Sequence, residues 1–347
     1  MMGRHRDSVE AEMELRQLGR TGIKVSSLCL GCMMFGGRTT PEDSATIIDR
    51  ALDAGVNFLD TANVYSRGKS EEATGAALKR NGKRHDVILA TKVHGKMGEG
   101  PNDMGNSRRH IIEQCEASLR RLQTDYIDLY QLHRPDPHIP IDETLRAMDD
   151  LVRSGKVRYL GSSTFGAWQI VESLWASKEY GLNRIVCDQP PYNILDRRIE
   201  RELLPMAQTY GIGIIPWSPL AGGLLTGKYE RGAPPPADTR FAGVANNPMQ
   251  QRRWTEQVFD VVEGLAPLAK EKGVTLSQLA LAWCEQQPDV TSAIIGPRTL
   301  EQLDDNLGAA NVTLTEDDMK AIDALVPPGR MVSPFYEAEF GPHPYRV

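Results

Sequence analysis

An aspartate, a tyrosine, a lysine and a histidine stand at the ends of three successive short apolar runs. These are Asn57-Phe-Leu-Asp60 with Tyr65 just beyond, Ile88-Leu-Ala-Thr-Lys92, and Leu129-Tyr-Gln-Leu-His133. As a set they suit protonation of a carbonyl oxygen that is gaining negative charge. A phenol donates a proton poorly near neutrality because its free pKa is ~10, and a nearby ammonium stabilises the phenolate and lowers that value. A carboxylate paired with the lysine holds its charge and orientation, and a neutral imidazole donates a hydrogen bond to the substrate oxygen. Taken singly, each residue has an ordinary structural explanation. Asp60 can cap its loop, Lys92 can end a strand in solvent, Tyr65 can pack on the surface, and His133 can orient the turn at Arg134-Pro-Asp136. Their joint placement at three consecutive strand ends points instead to one site.

Such convergence needs a scaffold that brings separate strand ends to one rim. Apolar runs that read as strands recur at residues 27–31, 57–60, 87–91, 126–133, 157–163, 185–189, 212–217 and 290–295. Amphipathic helical patterns lie between them at 41–54, 71–79, 109–121, 141–153, 167–180 and 197–210, then at 250–272, 276–286 and 300–307. Ser107 is placed to cap the helix after it, and Gly155, Gly181 and Gly211 stand where helix C-termini favour glycine. The strands are continuously apolar, as expected of parallel strands covered on both faces. Eight strand–helix units in one series predict an α/β fold, a (β/α)8 TIM barrel, whose usual size is about 250 residues. The surplus length is assigned to a hairpin at 13–18 and 23–26, a polar glycine-rich loop at 94–106 and a second long loop at 228–248. Two helices rather than one separate strands seven and eight, and a tail at 327–347 follows a last helix at 316–325. The alternative, an open doubly wound sheet, wants a phosphate-binding turn after its first strand, which Gly31-Cys-Met-Met-Phe-Gly36 does not supply. No linker marks a second domain, so residues 1–347 read as a single barrel domain with a polar extension at 1–12.

Composition sets further limits. The 347 residues carry 40 Lys+Arg against 46 Asp+Glu, a formal net charge of −6, which gives no basic footprint for nucleic acid or an anionic membrane. No apolar run reaches the ~20 residues of a membrane helix; the longest, 210–225, is interrupted by Pro216 and Pro219. Residues 1–12 are charged and lack an apolar signal core, so the expected location is cytoplasmic. Five cysteines are an odd number, which argues against a disulfide framework. Cys29 and Cys32 have C-x-x-C spacing, but no second pair completes a tetrahedral zinc site, and no metal is expected. Their odd offset along a strand points them to opposite faces, as plain buried cysteines. Two glycine motifs mislead. The run from Gly222 to Lys228 fits G-x-x-x-x-G-K, yet Tyr229 stands where a P-loop needs a hydroxyl for Mg²⁺. Gly211-Ile-Gly213 begins like a dinucleotide fingerprint but lies inside a strand and runs into Pro216.

Asp60-Thr-Ala-Asn-Val-Tyr65, Ala90-Thr-Lys92 and Leu129-Tyr-Gln-Leu-His-Arg-Pro135 resemble, in order and spacing, the motifs of the aldo-keto reductase superfamily. The likeness extends from about Leu15 to Leu325. It implies a tetrad in which Tyr65 is the general acid of carbonyl reduction, Lys92 and Asp60 tune it, and His133 orients the carbonyl. It also implies a nicotinamide cofactor bound in extended form across the barrel mouth. Gly161-Ser-Ser-Thr-Phe165 is similar to the segment that holds the carboxamide, with Ser163 as donor and Thr164 where asparagine is common. Gln189 would hold the same amide, and Trp217 in Pro216-Trp-Ser218-Pro-Leu220 would stack on the nicotinamide ring. A tryptophan there resembles the branch that includes potassium-channel β subunits and bacterial general-stress reductases. Ser218, Leu220 to Gly222, Lys228 and Arg240 fall where that branch clasps the pyrophosphate, and Met33 borders the nicotinamide.

After strand eight, Gly296-Pro-Arg298 opens a helix whose N-terminal N–H groups favour an anion. Arg298 can give a 2′-phosphate a bidentate contact, while Gln302, Asp305 and Asn306 would face the adenine, so NADP(H) is the expected cofactor. The function expected is NADPH-dependent reduction of an aldehyde or ketone, sugar-derived or xenobiotic. The alternative is a cofactor-sensing regulatory or interaction subunit with weak catalysis. A metal- or phosphate-dependent barrel hydrolase lacks its metal cluster. The tail aromatics Phe335, Tyr336, Phe340 and Tyr345 either line a pocket or pack on the barrel, and the sequence leaves the oligomeric state open.

Overall fold

The computed structural model describes residues 13–335, so the extension at 1–12 and Tyr336, Phe340 and Tyr345 lie outside the described residues. An antiparallel hairpin of β1 (Leu15–Gln17) and β2 (Lys24–Ser26) comes first. The barrel strands follow: β3 (Leu28–Gly31), β4 (Phe58–Asp60), β5 (Ile88–Val93), β6 (Ile127–Leu132), β7 (Val157–Ser163), β8 (Ile185–Gln189), β9 (Gly213–Ile214) and β10 (Ala293–Ile295). All eight are parallel, in the order β10-β3-β4-β5-β6-β7-β8-β9. The two outer strands meet through an Ile214–Val290 bridge and through Thr291 N–H and Ile294 N–H donating to the carbonyls of Ile214 and Pro216 at 2.7 and 2.9 Å. The ring is thereby closed as a (β/α)8 barrel.

β9 is shorter than the expected 212–217 because Pro216 has no N–H to give the ladder. The chain nevertheless keeps its course, with Trp217 N–H donating to Pro190 O at 2.9 Å.

Helices α1 (Pro41–Asp53), α2 (Lys69–Asn81), α3 (Arg108–Leu122), α4 (Ile141–Arg153), α5 (Ala167–Tyr180) and α6 (Leu203–Tyr210) wrap the outside. Their caps are local. Ser107 Oγ accepts from His110 N–H at 3.3 Å, and Gly181 and Gly211 end α5 and α6 in the left-handed conformation. The pattern at 197–210 opens as a 3-10 turn and restarts as α6 at Leu203, so that Pro205 falls in the first helical turn, where no N–H is required. The pattern at 250–272 likewise divides, into α7 (Pro248–Arg253) and α8 (Glu256–Lys272). Trp254 leaves the helix there, and its ring packs 5.1, 5.6 and 5.2 Å from those of Tyr229, Phe241 and Phe259. With α9 (Leu276–Glu285), three helices rather than the expected two separate β9 and β10. α10 (Leu300–Leu307) and α11 (Glu316–Leu325) complete the set, and no helix of the described residues is long and apolar enough to cross a membrane.

The barrel interior is filled by Cys29, Phe58, Ala90, Leu129, Cys187 and Ile215. Leu18 and Val25 of the hairpin join that cluster and plug its N-terminal mouth. Gly19 turns there with φ +52° so close to the barrel that a Cβ would come within 2.3 Å of Val186 O. Cys29 belongs to this inner cluster and Cys32 to the outer one, on opposite faces as their offset requires. Phe335 is buried with the Arg253 guanidinium 4.2 Å over its ring, and its N–H donates to Asp196 at 2.7 Å. It therefore packs on the barrel.

Candidate active site

The strand pleat repeats every two residues, so the inward positions can be counted upward along each strand. From the apolar layer of Phe58, Ala90, Leu129 and Cys187, two residues onward bring Asp60, Lys92, Gln131 and Gln189 to one level. All four are buried. The Lys92 ammonium is ion-paired with Asp60 Oδ1 and donates to Thr61 O at 2.9 Å and to the Tyr65 hydroxyl at 3.2 Å. Its three N–H groups are thus all committed. Burial disfavours the lysine charge, but the Asp60 carboxylate and Tyr65 more than offset it and hold Lys92 above the usual lysine range. The other Asp60 oxygen accepts from Gln131 Nε2 and Gln189 Nε2, both at 2.9 Å.

Tyr65 enters from a short 3-10 turn after β4, in which Ser66 and Arg67 take the left-handed conformation. Its ring meets that of His133 edge-on, with centroids 5.6 Å apart. Burial, then the charges of Lys92, Arg134 and His94, push the His133 imidazole well below the usual histidine range. It is therefore neutral at physiological pH, able to donate one hydrogen bond and accept another.

Tyr65 and His133 face a cavity of about 820 Å³ at the C-terminal mouth of the barrel. The tetrad and cofactor-contact residues expected from the sequence line it, except Thr164, Ala221 and Lys92, the last of which lies behind Tyr65. Thr164 is buried with φ +57°; its hydroxyl donates to Ser163 O at 2.7 Å and accepts from Arg134 Nη1 at 2.9 Å. Ser163 lines the cavity, with its hydroxyl donating to Gln189 O at 2.9 Å. The Gln189 nitrogen is shared between Asp60 and, at 3.2 Å, Gln131 Oε1, so its own oxygen is what it offers to an amide N–H. Met33, Trp217, Ser218 and Leu220 form the walls between this end and the loop.

The opposite end of the cavity is cationic. Arg38, Lys228, Arg240 and Arg298 all line it. Burial, then Arg298 and Arg240, lower the Lys228 pKa; burial, then Arg38, lowers that of Arg240. Gly222 and Gly223 both have positive φ, and a Cβ at 223 would stand 2.7 Å from Lys228 Nζ. Asp238, whose Oδ1 lies 3.3 Å from Arg298 Nη1, offsets these converging charges only in part, and cations gathered over a bare glycine turn favour an anion. The donor set therefore fits the phosphates of a dinucleotide. Arg298 crosses the opening to the long loop and donates to Asp238 O at 3.1 Å, while its own N–H donates to Gln302 Oε1 at 2.9 Å. Gly296, Asp305 and Asn306 complete that end, with Asp305 Oδ1 accepting from Thr275 Oγ1 at 2.9 Å. Arg231 pins the long loop from outside by ion pairs to Glu256, Asp260 and Glu263 at 2.6, 2.6 and 3.0 Å.

Sequence reasoning did not single out Gln131, Arg38 or Arg134. Gln131 was detectable, since it shares the inward parity of His133 two residues later; Arg38 sits in a loop, where no period marks it. Among the described residues no group of three or more His, Cys, Asp or Glu is placed to hold a metal ion. The described cysteines are free and buried, and burial pushes the Cys32 thiol up to about 12.

Residues 27–327 match the profile of the Aldo/keto reductase family. The chain belongs to this family. A Bacillus subtilis relative named "Uncharacterized oxidoreductase YrpG" is 42% identical over 324 residues, covering 91% of this chain and 96% of that protein. A relative from Arabidopsis thaliana named "Probable voltage-gated potassium channel subunit beta" is also 42% identical, over 303 residues, 86% of this chain and 92% of its own. One from Schizosaccharomyces pombe, named "Putative voltage-gated potassium channel subunit beta", is 39% identical over 90% of this chain and 92% of its own. In this aldo/keto reductase, Asp60, Tyr65 and His133 thus share one cavity with the cationic cleft at the strand ends, with Lys92 directly behind Tyr65.

Proposed function

We propose that this protein is a cytoplasmic, NADPH-dependent reductase of aldehydes or ketones, with Tyr65 as the proton donor. The observation that carries the reading is the Tyr65 hydroxyl, 3.2 Å from a fully buried ammonium and beside a neutral His133 at the cavity wall. Bound in this cavity, the reduced nicotinamide supplies a hydride to the carbonyl carbon. Tyr65 gives its proton to the carbonyl oxygen, and Lys92 stabilises the phenolate that is left. Asp60 keeps Lys92 charged, and His133 donates a hydrogen bond that fixes the carbonyl oxygen. Trp217 offers a ring face to the cofactor, with Met33 at its border, and Ser163 and Gln189 hold the carboxamide. Thr164 acts at one remove, through its contacts to Ser163 and Arg134. Ser218, Leu220, Gly222, Lys228 and Arg240 receive the pyrophosphate. Gly296 and Arg298 take the 2′-phosphate, while Gln302, Asp305 and Asn306 face the adenine.

A sugar, a keto-sugar and a xenobiotic carbonyl are all compatible with this chemistry, which asks only for a reducible carbonyl beside Tyr65 and His133. Turnover of 4-nitrobenzaldehyde, followed by NADPH absorbance, tests the reading. Tyr65→Phe is expected to abolish reduction while NADPH binding, read by tryptophan fluorescence, stays within about twofold. Full turnover by that variant would remove Tyr65 from the chemistry. The names of the plant and yeast relatives favour a second reading, a cofactor-sensing interaction subunit. Tight NADPH binding without measurable reduction of a reactive aldehyde would decide for it.

A further inference from the structure

Level with the Asp60–Lys92 pair, the barrel interior holds a polar group that the proposed chemistry does not use. Gln131 is fully buried on β6, two residues below His133. Burying an amide among apolar strand residues costs free energy unless its hydrogen bonds are made, and here they are made to one residue and its neighbour. Nε2 donates to Asp60 Oδ2 at 2.9 Å, and Oε1 accepts from Gln189 at 3.2 Å. Gln131 is paired in register with Gly161 on β7. A Cβ at 161 would come within 2.9 Å of Gln131 Cγ and 3.0 Å of Cys187 Sγ. Gly161 does not have a positive φ, so its backbone gives no other reason for a glycine there.

Asp60 divides its two oxygens between partners. Oδ1 faces the Lys92 ammonium and Oδ2 faces the two amides. Donors at Oδ2 keep the carboxylate ionised in a dry site and draw its negative charge away from the lysine side. More of the ammonium's field is then left for the phenol. We infer that Gln131, seated in the space that Gly161 leaves, is a positioning residue that holds the Asp60 carboxylate so that the Lys92 ammonium acts on Tyr65. The groups that share this field are Lys92 and Asp60 from β5 and β4, His94 just beyond β5, His133 and Arg134 beyond β6, and Arg240 from the long loop. Cys29, Cys32 and Cys187 also sense Asp60, and burial keeps their thiols neutral.

Gln131→Met keeps the length and removes the donor. Its kinetic readout rests on the reductase reading; its spectroscopic readout does not. The alkaline limb of kcat is expected to move up by about half to one pH unit. The kcat plateau falls about tenfold, and KM for NADPH stays within about twofold. In the cofactor-free protein, the phenolate absorbance that Tyr65→Phe removes should appear at higher pH in Gln131→Met than in wild type. Gly161→Ala, which crowds the Gln131 stem, moves both readouts the same way by less, and it decides the matter if Gln131→Met does not fold. A lowered melting temperature with the limb and the phenolate band unmoved would mean that Gln131 only packs, and the inference falls. A wild type without turnover would sink the reductase reading, leaving the phenolate titration to settle the role of Gln131.

Discussion

Lys92→Met removes the cation from the centre of the site and leaves its carboxylate behind. Lys92 is fully buried and Asp60 nearly so, so water cannot replace the lost partner. Breaking a buried pair by deleting one member costs about 3–5 kcal/mol. Two amide donors remain on Asp60 and the methionine fills most of the lysine stem, which places the loss near about 3 kcal/mol at neutral pH. The sign with pH follows from the orphaned charge. In the variant, the folded protein binds a proton at Asp60 more tightly than the unfolded chain does. The deficit is therefore full at neutral pH and shrinks as pH falls toward the free aspartate value of ~3.9. Adding Asp60→Asn removes the stranded charge, and the double variant should regain most of the lost stability. Catalysis does not return with it, because the ammonium beside Tyr65 is still missing; kcat should stay down by about 10²–10⁴-fold. Urea denaturation at pH 5 and pH 7 reads the stability and aldehyde reduction reads the chemistry. A single variant within about 1 kcal/mol of wild type, or a double variant as unstable as the sum of its parts, would refute the buried-charge argument.

Two further perturbations test separate regions. Arg298→Ala should weaken NADPH binding by about 10–100-fold and NADH binding by less than about threefold, since the lost contacts are charge-assisted bonds to a 2′-phosphate. Fluorescence titration with both nucleotides checks this, and equal losses would remove Arg298 from the discrimination. Asp188 is fully buried on β8, on the face opposite the inward Cys187 and Gln189, with Ser162 Oγ donating to it at 2.6 Å, and burial pushes its carboxyl up to about 7. A carboxyl whose folded pKa is raised destabilises the native state above the unfolded value, fully so above the folded one. Stability should therefore decline between about pH 4 and about pH 7 by an amount on the order of a few kcal/mol. Asp188→Asn should remove that slope in urea midpoints measured across this range; an unchanged slope would assign it to other groups.

How much of this was legible in the sequence depends on whether a physical period marks the residue. Asp60, Lys92 and His133 were readable because parallel strands present their ends at one rim, and the pleat dictates which side chains face inward there. Gln131 obeys the same parity, yet a glutamine inside an apolar run carries no chemistry by itself. Its meaning comes from Gly161 across the ladder, a pairing that requires the register of β6 and β7. The breaks in regular structure were legible only in part. Pro216 and Pro205 announce missing donors in the sequence, whereas the interruption between α7 and α8 depends on Trp254 finding three aromatic rings from other segments. Arg38 marks the limit, since a cation in a loop has no period and becomes meaningful only when Lys228, Arg240 and Arg298 are seen around the same cavity. Asp60, Lys92 and His133 are thus written in strand periodicity, Tyr65 in the turn that follows β4, and the anion-binding end in the conformation of longer loops. A substitution in the loop at 228–248 should accordingly alter cofactor affinity before it alters the proton transfer.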